Sequence, residues 1–107
     1  MITINFTQGE DYLLRLFLKN FDNEAIDLGG YEFAAHIRPD WDKVFLAAFA
    51  VEIPDASGGE LELRLDSETT KSLPVGQHKY DIFAQRDGQW TVLLKGAVNI
   101  GGAITRP

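Results

Sequence analysis

The sequence predicts an all-β domain, a two-layer sandwich of about seven short strands with one short helical turn. Three observations predict it: apolar and polar residues alternate with period 2 in short runs, turn-forming residues separate the runs every 8–12 residues or so, and the one stretch read as helix, Asp66 to Leu73, is a single turn. The 107 residues hold one domain, residues 1–107, with a single core. A content of 45% hydrophobic and 24% charged residues is that of a globular chain and argues against disorder.

Each element follows from the pattern. Ile2, Ile4 and Phe6 alternate with Thr3 and Asn5 in a first strand. Tyr12, Leu14, Leu16 and Leu18 alternate with Leu13, Arg15, Phe17 and Lys19 in a second, where Arg15 and Lys19 mark the wet face and Phe17 is its apolar exception. Asn20 to Glu24 is a turn, because Asn and Asp tolerate left-handed backbone angles, and Asp27-Leu28-Gly29-Gly30 is another. A third strand runs from Tyr31 to Arg38 with Tyr31, Phe33, Ala35 and Ile37 inward, and it stops at Pro39, which cannot donate to a ladder. Val44 to Ile53 is a fourth strand ending at Pro54, rich in strand formers. The competing pattern there is a helix, since Trp41, Val44, Phe45 and Ala48 share helical spacing and Asp40 can cap it.

Glu60 to Leu65 alternates most strictly, with Leu61, Leu63 and Leu65 in and Glu60, Glu62 and Arg64 out, after a Gly58-Gly59 turn. Asp66 to Leu73 is a helical turn with Asp66 or Ser67 as cap and Pro74 as stop. Gly76 opens a strand that places His78, Tyr80, Ile82 and Ala84 on one face, and Asp87-Gly88 is a hairpin turn. Trp90, Val92 and Leu94 then point inward at the start of a last strand that continues through Val98 and Ile100, before a tail that begins at Gly101-Gly102.

Composition excludes several functions. There is no cysteine, so neither a disulfide nor a thiolate metal site is possible. A net charge of −6 with no basic cluster repels a phosphate backbone, so nucleic acid is not an expected partner. No apolar run approaches the roughly 20 residues of a membrane helix, and the opening Met-Ile-Thr-Ile-Asn-Phe lacks the parts of a signal peptide, so no membrane is expected either.

The order of motifs carries a resemblance. Phe6-Thr7-Gln8-Gly9-Glu10-Asp11 before an apolar strand is followed by Ala25-Ile26-Asp27-Leu28-Gly29-Gly30-Tyr31, then Gly59 to Leu65, the short helix, Leu73-Pro74-Val75-Gly76, Tyr80-Asp81-Ile82 and Leu94 to Ile100. This order resembles the immunoglobulin-like domains of tailed bacteriophages, found at the amino end of upper baseplate proteins and in collar proteins around the tail. It implies an immunoglobulin-like β-sandwich over nearly the whole chain. Gly76, His78 and Tyr80 are similar to the Gly-x-Tyr-x-Cys of the sixth immunoglobulin strand; His78 departs from the aromatic residue usual in the phage family.

No chemistry-bearing constellation stands out. His36 faces solvent by alternation and His78 the core, and neither belongs to a cluster with metal-ligand spacing. Ser57, Ser67 and Ser72 sit in turn and cap settings, without a Gly-x-Ser-x-Gly elbow. Glu60 and Glu62 share a solvated face instead of the desolvated pocket that acid–base catalysis needs. Neither Asp22, Glu24 and Asp27 nor Asp40 and Asp42 match a calcium loop. The expectation is a protein that is not an enzyme, with no catalytic, cofactor-binding or metal-binding residues and no cofactor. What folding leaves unexplained is apolar: Phe17, Phe21, Trp41 between its two aspartates, and Ile104 in the tail. These are the candidate assembly contacts, although Trp41 also suits a cap over one end of the sandwich.

The resemblance implies a virion structural protein, made in the host cytoplasm and placed in the tail region, that self-assembles into a ring and docks other tail or baseplate proteins or fibres. Exposed edge strands suit such addition between subunits, and cyclic symmetry closes the ring. The alternative is a carbohydrate- or receptor-binding module on the virion surface, for which Trp41 with Asp40 and Asp42 is the candidate patch.

Overall fold

Leu61, Leu63 and Leu65 project to one side of a strand because successive side chains alternate, and all three are buried. That strand, β6 (Glu60–Leu65), is the centre of a three-stranded sheet between β2 (Tyr12–Phe17) and β5 (Ala50–Asp55), in the order β2-β6-β5. Both neighbours run antiparallel to it, with Leu14 opposite Leu63 and Leu16 opposite Leu61. A second sheet has the order β1-β8-β7-β3-β4, from β1 (Ile4–Thr7), β8 (Gln89–Gly101), β7 (Gly76–Arg86), β3 (Glu32–Arg38) and β4 (Ala47–Ala48). This is a computed structural model, and it describes residues 2–41 and 43–102.

The inner faces of the two sheets make the core. Ile4, Ile37, Tyr80, Ile82 and Val98 of the larger sheet meet Leu61 and Leu63 of the smaller one, and each of these is fully buried. Phe6 and Tyr12 join the sheets at one end, with ring centroids 5.3 Å apart. The topology is immunoglobulin-like: the small sheet takes the second, fifth and sixth strands of the described chain, and the hairpin β7–β8 pairs with β3 in the other. β1 lies parallel to β8, with Ile4 opposite Val98. Among the described residues β2 is therefore left, with β5, as an edge of the small sheet.

Turn chemistry sets the connections. Asn20 Oδ1 accepts hydrogen bonds from the backbone N–H of Asp22 and Glu24 at 2.9 and 3.0 Å, and Asn23 adopts a φ of 62°. Asp87 and Gly88, with φ of 54° and 80°, make the left-handed pair of a tight hairpin turn. The helix α1 (Ser67–Ser72) is capped by Asp66, whose carboxylate accepts from the Thr69 N–H at 2.8 Å.

Four sequence expectations are corrected. The strand expected over Val44 to Ile53 is two strands on different sheets. The Leu46 and Phe49 N–H groups bond to the Ile37 and Ala35 carbonyls, and buried Phe49 is where the chain crosses to β5. Val44 and Phe45 precede both strands and are exposed, and Pro54 lies inside β5, on an edge where its missing N–H costs no ladder bond. Trp90 and Val92 point outward, because the register of β8 shifts between Leu94, opposite Ile82, and Val92, opposite Phe83. Leu93 is the extra residue of that bulge, and it inverts the faces of everything before it. Glu62 is on the outer face as expected, yet it is only 4% exposed, because Arg15 and Arg64 close over it. Ile2 precedes β1 and is exposed.

Candidate interaction surfaces

On β3, β7 and β8 the side chains turned from the core form cross-strand rows, with His36 opposite Asp81 and Asp81 opposite Lys95. Asp81 is buried in the middle of this face, and Arg38 Nε lies 2.9 Å from its Oδ2, an ion pair too bent to be a hydrogen bond. Arg38 also donates from Nη1 to the Lys43 carbonyl at 2.8 Å. One arginine thus ties the segment between β3 and β4 down onto the sheet. The Phe45 ring stacks on His36 at 4.1 Å and an interplanar angle of 7°, so His36 is half-buried and does not stand free in solvent as alternation suggested. Its imidazole pKa is lowered from 6.5, first by desolvation; nearby Asp81 raises it and Arg38 lowers it further.

Trp41 lies over the same face, with the Lys95 and Lys79 ammonium groups 5.1 and 5.9 Å from its ring centroid. Beyond Phe45 the face opens into a shallow apolar hollow of about 300 Å³ lined by Ala34, His36, Phe83 and Trp90. Trp90 is 50% exposed there, next to exposed Val92.

The outer face of the small sheet is polar at its centre. Glu62 accepts from Arg15 Nε at 2.7 Å and from Arg64 Nη2 at 3.2 Å, and Arg64 Nε is 3.8 Å from Glu52. Desolvation pushes the Glu62 pKa up, but the hydrogen bonds and charges of the two arginines outweigh it, so it sits below the ordinary 4.5. Leu13 and Phe17 flank this network on β2, 42% and 60% exposed.

The structure does not bring the candidate contacts together. Trp41 lies in the turn after β3, over the outer face of the large sheet, Phe17 is on the outer face of the small one, and Phe21 stands fully exposed in the turn after β2. Ile104, and Asp42 of the candidate sugar patch, lie outside the described residues. Trp90, Val92 and Phe45 are not among the sequence candidates: a bulge turns the first two outward and Phe45 precedes β4 and lies on His36, and neither leaves a periodic trace in the sequence. Among the described residues no three His, Cys, Asp or Glu side chains gather closely enough to hold a metal ion.

No family model matches this chain, and no curated protein sequence matches it. Solved structures do resemble it. The N-terminal domain of phage TP901-1 ORF48 aligns with a TM-score of 0.55 at 10% identity, covering 92% of this chain and 83% of that one. The Lin-41 filamin domain aligns with a TM-score of 0.47 at 10% identity, over 90% of this chain and 81% of that one. Murine CRIg aligns at 0.45 and 13% identity, over 94% and 92%. At such identity the likeness to the ORF48 domain is one of fold.

Proposed function

We propose that this chain is a structural component of a tailed-bacteriophage virion, a repeated tail, collar or baseplate domain that assembles with copies of itself into a ring and docks neighbouring tail proteins or fibres. The observation that carries the reading is the fold-level match to a phage protein's N-terminal domain along 92% of this chain. It adds to the ordered motifs that resemble phage immunoglobulin-like domains. The surface supports it as well. Large apolar side chains stand exposed on both sheets and in the loop at Phe21, more than packing of one core requires.

In this reading the domain acts through contact and performs no catalysis. The rival sugar- or receptor-binding module needs an open aromatic platform beside polar groups. Trp41 is a poor platform, because two lysines approach its ring. The test is antibody labelling of purified particles. Gold at the tail of every particle is the expected result, and a chain absent from washed particles rejects the reading.

A further inference from the structure

A sheet edge invites another strand wherever its backbone groups are unpaired, and natural edges are blunted by shortness, proline or bulges. Of the four sheet edges among the described residues, three are blunted. β1 has four residues, β4 has two, and β5 carries Pro54 and a register shift. β2 has six residues, Tyr12–Phe17, with no proline and no bulge. Leu18 donates its N–H to Gly59, on the β6 side. By alternation the N–H and C=O of Leu13, Arg15 and Phe17 point the other way, to the open edge.

We propose that this edge pairs with the same edge of a second copy, β2 antiparallel to β2, so that two small sheets become one of six strands. The sequence of the edge argues for this partner. In an antiparallel pair centred on Arg15, Leu13 faces Phe17 of the other copy and Asp11 faces its Lys19, each contact occurring twice. The two central arginines are each already neutralised by their own Glu62, 2.7 Å away. Registers displaced by two residues lose both matches: they set Leu13 against Arg15, or Leu13 against Lys19.

The proposal rests on the reading that this chain works by assembly, and its test separates the two. Sedimentation of the purified full chain should show a concentration-dependent dimer, and dimer formation should slow hydrogen exchange at the amides of Leu13, Arg15 and Phe17. Lys19→Asp sets aspartate against Asp11, and Phe17→Lys removes the apolar match; each should weaken the dimer about tenfold or more while circular dichroism stays unchanged. Mixing Lys19→Asp with Asp11→Lys chains should restore pairing, since each lost charge match is then remade. A wild-type chain that stays monomeric at millimolar concentration overturns the β2 pairing. So does a dimer that forms equally well with Lys19→Asp and leaves those amides unprotected, but that result leaves assembly standing through another surface. Absence of the chain from particles rejects the virion reading, whatever β2 does.

Discussion

Tyr80 stands where the immunoglobulin resemblance puts a cysteine, but it ties strands of one sheet together where that cysteine would join the two sheets. Its hydroxyl donates to the Ile2 carbonyl, reaching from β7 across β8 to the chain entering β1. Gly96, its partner on β8, leaves the space: a Cβ there would lie 2.7 Å from the Ile2 oxygen and 2.8 Å from Tyr80 Cε1. Gly96→Ala should therefore cost about 1–3 kcal/mol through overpacking, and Tyr80→Phe about 0.5–1.5 kcal/mol through the lost hydrogen bond. Urea denaturation measures both. Leu63, fully buried, should lose about 2–5 kcal/mol on truncation to alanine.

His36, Glu62 and Asp66 add a pH dependence on the acid side. His36 has a lowered native pKa, so the unfolded chain binds its proton more readily, and stability falls as pH drops from 6.5 to the native value. Glu62 also has a lowered pKa: its contribution is complete above 4.5 and is lost as pH falls through the native value. Asp66 shares the acid decline, since the Thr69 hydrogen bonds lower its pKa as well. Denaturation series across pH should therefore show an upper decline removed by His36→Gln and a lower one reduced, but not abolished, by Glu62→Gln.

Elements explain what alternation could not. Strands with no extra residue of their own were legible: in β2, β6 and β7 the predicted inward residues Leu16, Leu61, Leu63, Tyr80 and Ile82 are all buried. β8 was legible only beyond its bulge, because one extra residue at Leu93 inverts the faces of Trp90 and Val92 without changing the composition of the run. Trp90→Ser should accordingly alter stability by less than about 0.5 kcal/mol, whereas a core tryptophan would cost several times as much; thermal melts distinguish these. The switch of sheets at Phe49 hangs on hydrogen bonds to β3 that no local pattern encodes. Burial of Glu62 likewise needs an arginine from the neighbouring strand β2, which lies opposite it only once the sheet has formed. Of the four candidate contacts, Phe17 and Phe21 are as exposed as their positions suggest, and Trp41 is 40% exposed with two lysine ammonium groups near its ring.

At the scale of the molecule, a small sandwich displays apolar groups on two opposite faces and one unblunted edge. A specific interface buries on the order of 1,200–2,000 Å² in total, about half of it on each partner, so one such contact takes only a modest part of the 6722 Å² this domain exposes. The two faces and the edge can therefore each hold a different neighbour, as repetition around an axis with docking of other proteins would use. The most direct measurement is electron cryo-microscopy of the purified phage particle, averaged about the tail axis. This account predicts the domain in repeated copies in a ring at the tail or baseplate, with Trp90 or Phe17 at contacts between protomers or with adjoining proteins. A chain missing from the particle, or present as isolated copies holding a sugar, would contradict it.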